Sequence, residues 1–396
     1  MARIFSLFAS WIALKLIPDA TLGVVLFSYN IILFLLPVSG FGLHQSLLRF
    51  SAISKNNEEK NTIFLYVLKY GLIASLIIIF VVVIASLFIP FQFEKTQQYV
   101  IVFSLLIIPT FLFEIIRAQL RLNHDNKNYA YSEFLHSIIL VVSVFGFTYF
   151  FDENGYVFAL LITPLVTALV FLKKTNIIFS RIKKIPQLNF SFWKYGFFAS
   201  LSNVITQLLI VVDILLIGFL LDDPEMVTKY RYISLVPFSL LFIPRVFITT
   251  DFVTITEKIS DKNYILNYIK SYLSFFTVLS VLMLFFVGYF SSEILAIFNP
   301  NYIVYNTIFR VLILGIAGIF IFRNLFGNLL SSIGKAYINF YIAFLSLLLN
   351  VISNYYLIPK YGILGAAITS ASLMWFTGIL SGIWFLFLYQ KKHKNQ

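Results

Sequence analysis

The chain has no cysteine and few charged residues. Because cysteine is absent from all 396 residues, disulfide bonds, thiolate nucleophiles and cysteine-ligated metals are excluded. Charged residues make up 12% of the chain, whereas a soluble protein of this length needs roughly a quarter to cover its surface. Hydrophobic residues make up 60% and fall in apolar runs of about 20 residues that recur along the sequence. The composition predicts a polytopic membrane protein with no soluble domain.

Sequence features of enzymes are also missing. No glycine-rich loop ends in Gly-Lys-Ser or Gly-Lys-Thr, which argues against ATP as an energy source. The histidines at positions 44, 124, 136 and 393 lack metal-ligand spacing, and no carboxylate pair lies in a loop large enough for a soluble active site. We therefore predict a protein that is not an enzyme and that uses neither a metal nor a cofactor.

Twelve apolar segments predict the fold. Each is far longer than the strand of a membrane barrel, and a spanning segment in lipid satisfies its own backbone groups as a helix. The sequence thus predicts an all-α polytopic membrane protein with about 12 transmembrane helices in two six-helix bundles. The predicted spans are 3–17, 22–46, 62–89, 98–121, 130–151, 154–173, 194–220, 228–252, 267–290, 302–330, 336–357 and 362–389.

Positive charge is distributed unevenly between the loops. If the N-terminus is cytoplasmic, 17 lysines and arginines lie in cytoplasmic segments and 4 lie on the other side. This bias places both termini in the cytoplasm and predicts a multi-pass membrane protein. The net charge of +12 is then a property of the loops, and we predict no nucleic-acid partner.

The two halves of the chain repeat one another. At a spacing of 206 to 209 positions, Pro18 matches Pro224, and Gly155 matches Gly362. Each half has an even number of spans, so the repeat is parallel, with a pseudo-twofold axis along the membrane normal. The predicted domains are a bundle at 1–173, a basic cytoplasmic linker at 174–193, a second bundle at 194–390 and a basic tail at 391–396.

The first predicted span is short. It has about 15 residues, whereas about 20 are needed to cross the hydrocarbon of a bilayer. Either the natural start of the protein lies upstream of Met1, which we favour, or this helix begins inside the bilayer.

Several short motifs resemble those of a known family. They are Asp19-Ala-Thr-Leu-Gly23, Gly40-Phe-Gly42, Leu48-Arg49-Phe50, Asp213, Gly334-Lys335, Asn350, Asn354, Leu357-Ile-Pro359, Tyr361-Gly362 and Gly365-Ala366-Ala367. The chain resembles bacterial polysaccharide-export proteins, the flippases of O-antigen and capsule repeat units. These belong to the superfamily that includes multidrug and toxin extrusion transporters. The resemblance covers nearly the whole chain.

The resemblance implies a substrate and a mechanism. The substrate would be an undecaprenyl-pyrophosphate-linked oligosaccharide, moved between leaflets by alternating access for O-antigen, capsule or other surface polysaccharide synthesis. The implied partners are the lipid bilayer, H⁺ or Na⁺ as coupling ion, and a polysaccharide polymerase complex. A pyrophosphate that crosses a low-dielectric layer needs cations along its path. The candidate headgroup cations are Arg245, Arg310, Arg323 and Arg117. Arg245 and Arg310 alternatively pair with an acid on another helix, and these two and Arg323 alternatively extend their charged ends to the membrane surface. The resemblance also implies the bacterial cytoplasmic (inner) membrane as the location.

Other polar residues within the spans have two interpretations each. Asp213 either binds a coupling ion or pairs with a cation on another helix, and Glu114 either joins an ion site or pairs with Arg117 one turn away. Polar residues on two helices either line the sugar path or pack between helices. These are Asn350, Asn354 and Ser346 on span 11 and His136 on span 5.

Two other functions are compatible with the sequence. One is a cation-coupled multidrug or organic-cation antiporter of the same fold, which needs an acidic cavity. Among the unpaired charged residues deep in the predicted spans, two are basic, Arg245 and Arg310, and one is acidic, Asp213. This excess of positive charge favours an anionic substrate. The other is a membrane polysaccharide polymerase or ligase, which needs a larger external loop than this sequence contains.

Overall fold

The computed structural model describes residues 2–54, 56–178 and 188–394. A few helical residues in these ranges, including Arg245, are described by their backbone alone. The described residues form helices and turns without strands, which confirms the predicted all-α fold class. Among them, eight helices are long and apolar enough to cross a membrane, and nine if a bent pair within 190–221 counts as one span.

The chain divides into two compact units, Met1–Val211 and Val212–Gln396. The helices of the first unit are α1 (Ala2–Leu16), α2 (Asp19–Leu33), α3 (Leu43–Ile53), α4 (Asn57–Phe88), α5 (Thr96–Ser104), α6 (Ile107–Leu122) and α7 (Asn126–Leu172). The division falls inside α8 (Phe190–Leu221). The second unit continues with α9 (Pro224–Ser239), α10 (Phe242–Glu257), α11 (Lys262–Tyr289), α12 (Ser291–Phe298), α13 (Asn306–Gly318), α14 (Asn324–Ser332), α15 (Ala336–Tyr361) and α16 (Ile363–Lys394).

The predicted spans coincide with these helices or with pairs of them. Four spans are broken in two, as α2 and α3, α5 and α6, α9 and α10, and α13 and α14, whereas α7 contains two predicted spans and is kinked at Asp152. The tail predicted at 391–396 continues α16 as far as Lys394. The exact bundle limits stay a prediction, and linker residues 179–187 lie outside the described residues.

The first helix is as short as the sequence predicts. With 15 residues, α1 is about 22 Å long, and the hydrocarbon core of a bilayer is about 30 Å thick. It packs along α7, where the rings of Phe5 and Phe134 lie 5.8 Å apart, edge to face. Packing against the longest helix of the unit holds α1 in place.

The break between α2 and α3 has a local cause. Residues 36–42 form a turn that contains a proline. In this turn Gly40, Phe41 and Gly42 all have positive φ. A Cβ at Gly40 would lie 2.4 Å from the ring of Phe111, and one at Gly42 would lie 2.3 Å from the carbonyl of Gly196. Glycine therefore allows the left-handed turn and the close contact of this segment with α6 and α8. The buried core of the unit lies beside it, around Phe111.

The internal repeat has a register that differs from the one predicted. Asp152 (φ 50°, ψ −133°) and Gly362 (φ 59°, ψ −144°) share an unusual backbone conformation. The turn after α6 is closed by a bond from Asp125 N to Leu120 O, and the turn after α14 by one from Lys335 N to Leu330 O, both 2.9 Å. Each pair is 210 positions apart. The match of Gly155 with Gly362 was wrong by three positions, because similar small residues occur near both sites.

Candidate functional site

A buried carboxylate in the second unit receives four hydrogen bonds. Asp213, on α8, is only 3% exposed. Its Oδ1 accepts hydrogen bonds from Nδ2 of Asn350 at 3.0 Å and Nδ2 of Asn354 at 2.8 Å. Its Oδ2 accepts one from the hydroxyl of Tyr230 at 2.8 Å and another from the hydroxyl of Ser370. We call these five residues the Asp213 cage.

Four helices of the second unit supply the Asp213 cage. Asn350 and Asn354 lie one turn apart on α15, so both amides face the same way. Asn354 Nδ2 also donates to Asn350 Oδ1 at 2.8 Å, which orients the pair. Tyr230 comes from α9 and Ser370 from α16, and both are buried. The polar face predicted on α15 and the acid predicted on α8 are therefore parts of one site.

The Asp213 cage contains a negative charge without a cation. No described lysine, arginine or histidine forms an ion pair with Asp213. The pairing with a cation stays a prediction, because the side chain of Arg245 lies outside the described residues. Four donors offset part of the cost of burying a carboxylate, and that cost is several kcal/mol per ion. Among the described residues, Asp213 is therefore stabilised by hydrogen bonds alone.

One oxygen of the Asp213 cage is left unsatisfied. Oδ1 of Asn354 is buried without a hydrogen-bond partner. Carboxylate, amide and hydroxyl oxygens are the ligands that hard cations prefer, and rotation of an asparagine amide can turn its oxygen toward such an ion. A proton on Asp213 would neutralise the same charge. The residues of the Asp213 cage therefore fit Na⁺ or H⁺.

Arg323 lies at a second polar site of the same unit. It ends a π-helical segment, Ile319–Arg323, that separates α13 from α14. Its Nη1 donates to Asn339 Oδ1 at 2.8 Å and to Ser381 Oγ at 2.7 Å. Neither partner carries a charge, and no described carboxylate forms an ion pair with Arg323.

Arg117 in the first unit is neutralised. The predicted contact with Glu114 is present at 3.1 Å, and Glu133 on α7 contributes a second carboxylate. Arg117 also donates to the hydroxyl of Tyr129 at 2.8 Å. With two acids, the arginine holds α6 against α7, and Glu114 is engaged in this cluster.

Three of the remaining predicted residues, Ser346, His136 and Arg310, have other described partners. The hydroxyl of Ser346 donates a hydrogen bond to the backbone carbonyl of Ile342 in its own helix, at 2.8 Å. His136 stacks on the ring of Phe113 in the first unit, at 4.9 Å between centroids. Arg310 is exposed and donates to the carbonyl of Gly288 at 3.1 Å, at the end of α11. The side chain of Arg245 lies outside the described residues.

Three participants were missed in the sequence. Tyr230 and Ser370 are ordinary polar residues of their helices, and nothing in their spacing points to an acid 17 or 157 positions away. Glu133 is separated from Arg117 by a turn between two helices. The only signal for Ser370 is its place in a run of small residues, 365–371, where α16 is able to pack closely.

The overall fold is that of transporters of the MOP superfamily. An inward-facing multidrug resistance MATE family transporter aligns with a TM-score of 0.77 at 14% identity, covering 99% of this chain and 96% of that one. Lipid II flippase MurJ in an inward closed conformation aligns with a TM-score of 0.67 at 18% identity, covering 98% and 87%. A MOP superfamily transporter from Pyrococcus furiosus aligns with a TM-score of 0.62 at 16% identity, covering 97% and 91%.

At the level of sequence the chain is similar to one uncharacterized membrane protein of Methanocaldococcus jannaschii. The two are 25% identical over 409 residues, which cover 93% of this chain and 78% of that protein. No known family profile matches the chain. The comparisons confirm a multi-pass membrane protein with the fold of the predicted superfamily.

Proposed function

We propose that this protein is a cation-coupled flippase that moves an undecaprenyl-pyrophosphate-linked oligosaccharide from the cytoplasmic to the outer leaflet of the inner membrane. The product would feed O-antigen, capsule or other surface polysaccharide synthesis, beside a polysaccharide polymerase. Both termini are cytoplasmic in this proposal. The isoprenoid tail stays in lipid, while the charged headgroup crosses inside the protein.

The Asp213 cage carries the proposal of ion coupling. A buried carboxylate with no counter-cation among the described residues, beside an unsatisfied amide oxygen, changes its electrostatic energy strongly when Na⁺ or H⁺ enters. Three of its helices, α9, α15 and α16, come from different parts of the second unit, so the ion favours the arrangement in which they meet. Binding and release of the ion then bias the unit between two states.

The lipid-linked anionic substrate has separate support. The motifs from Gly40 to Ala367 resemble those of polysaccharide exporters, and the fold is shared with a protein whose name states that it flips lipid II. Within the described part of the second unit, Arg323 is enclosed without an acid. A diphosphate needs such donors at depth, because charge-assisted bonds offset its loss of water.

A multidrug antiporter is the second candidate. The observation that favours it is the fold shared with a multidrug resistance MATE family transporter, at a TM-score of 0.77. The negative charge of Asp213 suits a cationic drug as well as a coupling ion. The five residues of the cage bond to one another, however, and leave Asn354 Oδ1 unsatisfied, which suits a bare ion better than a drug.

Deletion of the gene in its native host tests the two functions against each other. A flippase predicts loss of the surface polymer, with lipid-linked repeat units accumulating on the cytoplasmic leaflet. An antiporter predicts normal surface polymer and greater sensitivity to cationic drugs. Complementation with wild type and with Asp213→Asn shows whether the cage is needed, and Asp251→Asn is the matched control because that acid also accepts a tyrosine hydrogen bond, at 2.9 Å.

A further inference from the structure

One edge of the Arg323 guanidinium group makes no hydrogen bond to the described residues. Nη1 uses both of its hydrogens on Asn339 and Ser381. Nε and Nη2 have no hydrogen-bond partner among the described residues. These two nitrogens form the edge with which arginine holds a carboxylate or phosphoryl group through two parallel bonds. The two bonds of Nη1 thus hold the guanidinium group in one orientation, and they leave Nε and Nη2 without a described partner.

The first unit contains the counterpart of this site. Arg117 bonds to Tyr129 and Arg323 bonds to Asn339, each at 2.8 Å. Tyr129 and Asn339 are 210 positions apart, which is the spacing that the backbone features of the repeat define. The two units therefore hold a guanidinium group against the same position of the repeat.

The acids of the first site are absent from the second. Glu114 and Glu133 neutralise the guanidinium of the first unit. At the same spacing of 210, Glu114 corresponds to Asn324 and Glu133 to Ala343. An arginine kept only to hold helices together would gain from those acids, since an unpaired buried charge destabilises a protein. The second unit keeps the cation of Arg323 and lacks both of its neutralising partners.

The backbone is adapted to place this arginine. Gly327 occupies the repeat position of Arg117, and a Cβ there would lie 3.1 Å from Nη1 of Arg323 and 3.4 Å from Oδ1 of Asn339. The missing side chain leaves the space that Arg323 fills from one turn earlier. The π-helical segment that ends at Arg323 changes the direction of this residue, and such segments occur frequently at functional sites.

We infer that Arg323 is the core of a binding site for a phosphoryl group attached to a lipid, and that the diphosphate of the proposed substrate occupies it. Arg323 lies nine residues before the end of α14 at Ser332, or about 13 Å along the helix from its predicted cytoplasmic end. This depth suits a headgroup that has entered from the cytoplasmic leaflet. The identity of the ligand rests on the proposed function, whereas the existence of an anion site does not.

Thermal unfolding of the purified protein with inorganic pyrophosphate tests the site. Without ligand, Arg323→Gln should melt at or above the wild-type temperature, because it removes an uncompensated charge. It should also lose the pyrophosphate-dependent rise in melting temperature. Arg323→Lys keeps the positive charge but cannot form two parallel hydrogen bonds. It should need at least tenfold more pyrophosphate to reach the same rise in melting temperature. Arg121→Gln, at an exposed arginine that is not a candidate headgroup cation, is the matched control and should respond as wild type does.

Two results would overturn the site. One is a pyrophosphate shift that persists in Arg323→Gln. The other is a melting temperature of ligand-free Arg323→Gln several degrees below wild type, which would mark Arg323 as structural.

The source of the phosphoryl group is distinguished in nanodiscs. An Arg323-dependent stabilisation by phosphatidylglycerol, with none by pyrophosphate, would support the site and overturn its assignment to the substrate. In proteoliposomes, flipping of a lipid-linked diphosphate glycan by wild type and equally by Arg323→Gln would overturn the site and leave the proposed function standing. Pyrophosphate binding that requires Arg323, in a wild-type protein that flips no such lipid, would support the site and refute the proposed function.

Discussion

Replacing Asp213 with asparagine removes the only charge among the five residues of the Asp213 cage and preserves its shape. The new amide keeps an oxygen for Asn350 and Asn354, and the hydroxyls of Tyr230 and Ser370 are able to rotate and accept from its nitrogen. We therefore expect Asp213→Asn to fold. Its expected defect is the loss of cation binding.

The size of this effect follows from linkage. Na⁺ at 100 times its dissociation constant stabilises the folded state by about 2.7 kcal/mol if the unfolded state does not bind it. For a folding unit of the size of Val212–Gln396, each kcal/mol corresponds to about 2–4 °C in melting temperature. Wild type should therefore melt about 5–11 °C higher in saturating NaCl than in choline chloride of equal ionic strength, and Asp213→Asn should show no difference.

The assay is intrinsic fluorescence during heating of the detergent-solubilised protein. Asp251→Asn is the control, because it removes a carboxylate that bonds to a tyrosine in the same unit without touching the cage. If H⁺ is the coupling ion, Na⁺ should leave the melting temperature of both proteins unchanged, and transport driven by a pH gradient should be lost in Asp213→Asn. Equal shifts in wild type and Asp213→Asn, or a wild type that responds to neither ion, would refute the assignment.

Three further perturbations test the fold. Gly42→Val should abolish monodisperse protein in size-exclusion chromatography, because φ is 67° and a Cβ would lie 2.3 Å from the carbonyl of Gly196. Arg117→Met should lower the free energy of unfolding by about 1–2 kcal/mol in mixed-micelle denaturation, because it leaves the half-exposed carboxylates of Glu114 and Glu133 without their cation. The backbone N–H of Asn128 lowers the pKa of Asp125 at the start of α7. This stabilisation exists above the unfolded pKa and is lost as pH falls through the folded one, so the protection of amides there, relative to their intrinsic exchange rates at the same pH, should fall in acid.

Most of the helical framework was predictable because lipid imposes simple rules. A span needs about 20 apolar residues and a helical backbone, and both requirements are visible in the sequence. The breaks were harder to predict, since a broken span keeps the composition of an intact one. Pro37, Gly40 and Gly42 indicate the break between α2 and α3. The π-helical segment Ile319–Arg323 contains no proline or glycine, so the sequence gives no comparable signal for it.

The candidate site was only half predictable. The spacing of Asn350 and Asn354 indicates a polar face on one helix, and Asp213 stands out as an acid in an apolar span. Their meeting depends on the packing of α8 against α15, which single-helix periodicity does not encode. For the same reason the sequence could not show that Arg117 has a second acid from α7, while Arg323 has none among the described residues.

The most direct measurement is translocation by the purified protein in liposomes. A fluorescent undecaprenyl-pyrophosphate-linked oligosaccharide would be placed in both leaflets, and the fraction accessible to a membrane-impermeant quencher followed over time. We predict transfer that depends on a Na⁺ or H⁺ gradient, with little transfer in Asp213→Asn and a wild-type rate in Asp251→Asn. Transfer no faster than in protein-free liposomes, together with gradient-driven uptake of a cationic drug, would contradict the account.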